Sequence, residues 1–216
     1  MQKLLLHPCY FGPISQFVAL AKASEVIFEN EDNYQKQTYR NRMYVYGANG
    51  KLLLNIPIKH TGDKSQHQKY KDVRIENDFH WQKQHWKSLQ SAYRTSPFFE
   101  FYEDDFEHLY TKKYDFLIDF NYDCLTVALE SLQMDLEIKK TTAYNENPSS
   151  VVDGRFLVNA KMKSQPEFVP YTQVFESKTG FINNLSIIDL IFNEGPNALS
   201  YLEQQDISFL PDSEKN

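Results

Sequence analysis

Between Phe79 and Tyr122 the chain carries fourteen aromatic side chains. Rings this large bury much apolar area each and stabilise a chain only when packed together. Here they recur at helical spacing. Trp81, His85, Leu89 and Tyr93 follow i, i+4 steps, which predicts a helix over about 79–94 with Asp78 as its N-cap. Pro97 suits the start of a second helix over 98–113. A stripe of Phe116, Leu117, Phe120, Cys124, Leu125 and Ala128 predicts a third over 114–132. The whole chain holds sixteen Phe, fourteen Tyr and two Trp against seven Gly. That balance excludes disordered and collagen-like classes. The sequence also contains neither of the two common glycine-rich phosphate loops, so a bound phosphate would have to be held by side chains or a helix end.

The flanking segments supply strands. Lys3–Leu6, a Pro- and Gly-punctuated loop at His7–Pro13, helical spacing of Ile14, Phe17, Val18 and Ala21, and Val26–Phe28 predict a β-α-β unit with parallel strands. Ligands in such units sit beyond the carboxyl ends of the strands, where the loop at 7–12 also meets a helix N-terminus. Met43–Tyr46 and Lys51–Ile58 flank Asn49-Gly50, a strong hairpin signal, with Leu52, Leu54, Ile56 and Ile58 expected to face the core. Asp72–Glu76 and Glu137–Thr142 read as short strands, 60–71 as a mobile polar loop, and 185–193 as a helix stopped by Gly195-Pro196. The expected class is α/β: a small mixed sheet with the N-terminal β-α-β unit and the hairpin, packed against a block of about three helices. Residues 1–216 read as a single domain, with 143–153 the best candidate for an internal boundary and 206–216 a mobile tail.

The formal charge of −6 argues against binding long nucleic acid, which needs a basic surface. No run approaches the roughly 20 apolar residues of a membrane span. With no signal peptide visible and two cysteines, Cys9 and Cys124, read as free thiols, the expectation is a cytoplasmic protein.

Chemistry-bearing residues are few. His80 and His85 are five apart, unlike the i, i+4 ligands of a helical zinc site, and His60 and His67 sit in the polar loop, so no metal site is expected. The sequence names no cofactor. His85 falls among aromatics, as a satisfied core histidine or as one tuned for proton transfer. Cys9 lies two residues from His7 near a helix start, yet lacks an identifiable activating partner. Cys124 belongs to a core stripe, and Glu103, Asp104, Asp105 and Glu107 to a solvated helix face. Lys36, Arg40, Asn41 and Arg42 lie close to Tyr34 and Tyr39. In an acidic protein this cluster points to a small anionic ligand, or else to a surface strand paired with Glu29, Glu31 and Asp32.

Several segments together resemble the bacterial WbqC-like family: 7–13 (HPCYFGP), 34–42 (YQKQTYRNR), 54–58 (LNIPI), 81–85, 90–93 with 96–99, and 180–190 (GFINNLSIIDL). The resemblance spans about residues 3–201. It implies a link to surface-polysaccharide gene clusters and a nucleotide-linked (amino) sugar as ligand. It further implies a transferase moving an acyl or aminoacyl group; the alternative reading of the chain is a non-enzymatic ligand- or protein-binding module. Carried over by position, the site residues are Tyr10, Pro13, Lys36, Asn41, Arg42, His85 and Tyr93. His7, Tyr39 and Arg40 join them as ligand-side candidates, and His85, Tyr93 and Tyr10 as the catalytic ones. His7 and Gly12 depart from the family pattern, which often has Gln and Pro there, and Cys9 is not a regular feature of it.

Overall fold

A computed structural model describes residues 3–59, 68–162 and 164–211. His60, His67 and the end of the tail at 212–216 lie outside the described residues. In chain order the elements are β1 (Lys3–Leu6), α1 (Ile14–Lys22), β2 (Glu25–Phe28), β3 (Arg42–Gly47), β4 (Gly50–Asn55), α2 (Trp81–Tyr93), α3 (Phe99–Thr111), α4 (Leu117–Ser131), β5 (Lys139–Lys140), β6 (Val152–Asp153), α5 (Glu176–Thr179), α6 (Ile187–Glu194) and α7 (Ala198–Gln204).

The architecture is mixed α/β, with parallel and antiparallel pairing on separate sheets. The first sheet runs β5-β2-β1-β6, all pairs parallel, with Leu4 opposite both Val26 and Val152. Its central strand β1 is buried from Leu4 to Leu6, which explains a continuous apolar run where a half-exposed strand would alternate. The hairpin β3-β4 forms the second sheet, in the register Arg42↔Asn55 through Gly47↔Gly50. Gly50, at φ +98°, closes its turn.

Two local expectations need correction. Asp72–Glu76 is no strand: a 3-10 turn covers Tyr70–Asp72, and only isolated bridges follow, Ile75 to Ile58 and Arg74 to Phe116. The segment is pinned from below, since the buried Tyr70 hydroxyl donates to the Pro8 carbonyl at 2.7 Å. Beyond it the backbone bonds alternate between two neighbours, Val73 and Ile75 with Leu117 and Asp115, Arg74 and Glu76 with Lys59 and Pro57, and neither side extends into a ladder. Asp78 does not cap α2 either. A turn over 76–79, with Asp78 N–H donating to Glu76 Oε1 at 3.3 Å, delays the helix, and His80 takes the N-cap position without a side-chain bond.

The aromatic block packs as its spacing implies, but around an element from far along the chain. Phe192 of α6 meets Phe99, Phe106 and Tyr93 at centroid distances of 5.1, 5.0 and 5.4 Å. Each such ring, fully buried, contributes roughly 1.5–3 kcal/mol. Residues Ile187–Asn193 are all buried, so the C-terminal segment completes the core. Among the described residues no helix is long and apolar enough to cross a membrane.

Candidate functional site

The loop after β1 is interior. His7 through Ile14 are all buried, and the start of α1 has its amides occupied: Ile14 N–H donates to Leu185 O, Ser15 N–H to Asn184 Oδ1 and Gln16 N–H to Pro13 O, at 2.9 Å each. That helix end is thus satisfied by the tail segment, with Pro13 as its N-cap residue. Burial pushes the Cys9 thiol up to about 12, which keeps it protonated.

Arg40 is fully buried and committed. Its Nη2 donates to Asp32 Oδ2 at 2.8 Å and to His7 Nε2 at 2.6 Å, its Nη1 donates to Asn33 O at 3.1 Å, and the guanidinium lies 5.0 Å from the Tyr70 ring centre. Because Arg40 can only donate, His7 Nε2 must accept, which places the imidazole proton on Nδ1 toward the Glu29 carbonyl. Burial, with the Arg40 charge, lowers the His7 pKa to about 4, so the His7–Asp32 approach at 3.2 Å is not an ion pair at neutral pH. Tyr39 is buried against Cys9 and Val158, and its carbonyl accepts from Tyr10 N–H at 3.0 Å.

The three candidate proton-moving residues fall into two groups. Tyr10 OH lies 3.0 Å from His85 Nδ1 and 3.0 Å from Tyr110 OH. Burial lowers His85 to about 4, against a bond to the Asn55 backbone, and raises both tyrosines. Neutral His85 then accepts from Tyr10 at Nδ1. Tyr93 sits two helical turns on, roughly 12 Å along the axis, and turns to another partner. Its hydroxyl donates to Asp189 Oδ1 at 2.7 Å and accepts from Tyr46 N–H at 3.0 Å. Asp189, wholly buried, also accepts from Tyr171 OH and from Gln173 Nε2 at 2.9 Å. Its burial outweighs these three bonds and pushes its carboxyl up to about 6. Nothing in the sequence marked Asp189, since a lone acid within an apolar helix also reads as a surface position.

Lys36, Asn41 and Arg42 do converge. With Tyr34, Asn55 and Glu76 they line a cleft of about 450 Å³ whose other wall is Ile56, Pro57, Ile58 and Phe79. Asn41 is buried and its Nδ2 donates to Asn55 Oδ1 at 3.2 Å and Ile56 O at 3.1 Å, while its Oδ1 has no partner among the described residues. Among the described residues Tyr34 OH and Arg42 Nε also lack partners. Eight buried side-chain atoms are in this state among the described residues, and three of them belong to residues that line this cleft. Among the described residues Arg42 and Lys36 make no salt bridge, in contrast to Arg40. A cavity of about 370 Å³ beside α1, between Leu4, Lys22 and Ile207, contains none of the sequence-derived candidates. Among the described residues no group of three His, Cys, Asp or Glu could hold a metal ion. Tyr34 was visible in the sequence as an aromatic beside cations, whereas Asn55 and Glu76 reach the cleft only through the pairing of β4 and the segment after it.

The family model described as the WbqC-like protein family matches residues 7–163 and 154–201. The Mycobacterium tuberculosis protein named uncharacterised protein Rv1507c is 23% identical over 212 residues, covering 86% of this chain and 90% of that protein. No solved structure matches. With the family model covering most of its length, and the segments that form the cleft inside the matched range, the chain belongs to the WbqC-like protein family.

Proposed function

We propose that the cleft at Lys36, Asn41 and Arg42 binds a small anionic molecule. One observation carries this: two cations without a carboxylate partner among the described residues line a concave site in a protein of net charge −6. Elsewhere in the same segment, Arg40 has a carboxylate partner, Asp32. A planar guanidinium suits phosphate or carboxylate, and a cleft excludes enough water to strengthen the contact. The finer reading follows the family: a nucleotide-linked sugar as ligand and a transferase as activity, in a cytoplasmic protein. The buried, unpaired Cys9 and Cys124 support a reducing compartment.

In this reading His85 and Tyr10 are positioning residues. They bond to each other at 3.0 Å in the interior, and neither lines the cleft. Arg42→Ala tests the electrostatic half. In a thermal-shift and calorimetric screen of nucleotide sugars, the wild type gains stability with ligand while the variant loses at least tenfold in affinity. Full affinity in Arg42→Ala, or no shift with any anion, refutes the proposal and leaves a protein-binding module.

A further inference from the structure

The cleft holds an opposite pole. Glu76 lines it together with Arg42 and Lys36. Its backbone N–H donates to Pro57 O at 2.9 Å, whereas Arg42 pairs with Asn55. The backbones that carry the two charges are therefore held two residues apart on the stretch from Asn55 to Pro57. Among the described residues, the Glu76 side chain accepts from Asp78 N–H at 3.3 Å and approaches Lys59 only at 3.9 Å, so its carboxylate retains accepting capacity. The same cleft has apolar lining in Ile56, Pro57 and Ile58, and Phe79 presents a ring that is 64% exposed. Two cations facing one carboxylate match a dianion joined to a single positive charge.

We infer that this cleft takes a phosphate that carries a free amine, with the phosphate on Arg42 and Lys36 and the ammonium on Glu76. This rests on the anion-binding reading above and narrows its substrate class. The polar partners divide accordingly. Arg and Lys only donate, which suits phosphate oxygens, and a carboxylate only accepts, which suits the three donors of an ammonium. Uncharged or acylated amines would leave Glu76 facing a group that cannot neutralise it.

The test uses the full chain and two probes, O-phosphoethanolamine and ethyl phosphate, titrated at pH 7 and followed by NMR. Wild type should bind the amine-bearing phosphate about tenfold more tightly, the scale of one charge-assisted hydrogen bond. Glu76→Gln should abolish that preference while keeping ethyl phosphate binding, and Arg42→Ala should weaken both probes. Circular dichroism melts establish that each variant is folded. Equal affinity of wild type for the two probes, or a preference that survives in Glu76→Gln, overturns the inference and leaves the anion site standing. Binding of neither probe to wild type, or undiminished binding of both to Arg42→Ala, overturns the anion site and this inference with it. Release of Lys59 in Glu76→Gln would act on both phosphates alike, so the ratio of affinities is the quantity read.

Discussion

Tyr93→Phe separates a structural tyrosine from a catalytic one. The Tyr93 hydroxyl is fully buried between Asp189 Oδ1 at 2.7 Å and Tyr46 N–H at 3.0 Å. Phenylalanine retains the ring packing on Phe192 at 5.4 Å, so the change isolates the oxygen. Its removal takes one of three donors from a buried carboxylate, about 1.5–3 kcal/mol, and orphans a buried amide, about 1–3 kcal/mol. Roughly 3–5 kcal/mol is expected in total, because Tyr171 and Gln173 still hold Asp189. At about 2–4 °C per kcal/mol for a chain of this size, the thermal midpoint should fall by on the order of 10 °C. Urea unfolding by circular dichroism measures the loss, and anion titration of the folded variant should show unchanged affinity. A loss below about 0.5 kcal/mol, or a collapse of anion binding in a stable protein, would refute the assignment of Tyr93 to the Asp189 cluster.

Other outcomes follow from the same geometry. Asp189 is raised from 3.8 to about 6 by burial, so between those values the folded chain holds a proton the unfolded chain has released. Its stabilisation is present below pH 4 and lost as pH rises through 6, about 3 kcal/mol in full. His7 and His85 are lowered from 6.5 to about 4, chiefly by burial, and act oppositely: their contribution is lost as pH falls from 6.5 to 4. Net stability should therefore drop on acidification across that window, and Asp189→Asn should steepen the drop; an Asp189→Asn curve parallel to wild type would contradict the raised carboxyl. Gly195→Ala should cost at least about 2 kcal/mol, since Gly195 has φ +50° and an added Cβ would meet the Phe98 ring at 2.5 Å; an unchanged urea midpoint would refute this. Native Cys9 and Cys124 should resist a thiol reagent until the chain is unfolded, and fast labelling of either would contradict their burial.

Much of the fold was legible because periodicity and turn chemistry are local. The unbroken run at Leu4–Leu6, the helical spacing from Trp81 to Ala128 and the Asn49-Gly50 turn each specify their element through nearby residues alone. At Asp72–Glu76 distant partners overrode local preference, whereas at Asp78 a competing local turn with Glu76 did. Tyr70 reaching Pro8 is one such partner. Within the candidate site, the sequence alone grouped Lys36, Arg40 and Arg42 by charge and spacing. Only tertiary structure could divide them. Asp32 and His7 converge on Arg40 and neutralise it in the interior, while Arg42, two residues on, opens onto a cleft with Asn55 and Glu76. The same holds for Tyr93 and His85, which share a helix face in sequence yet serve separate partners, Asp189 and Tyr10, brought from opposite ends of the chain. A chain's own periodicity determines which side chains turn inward, but a charge or a hydroxyl is spent or left free by whichever remote group the fold places beside it.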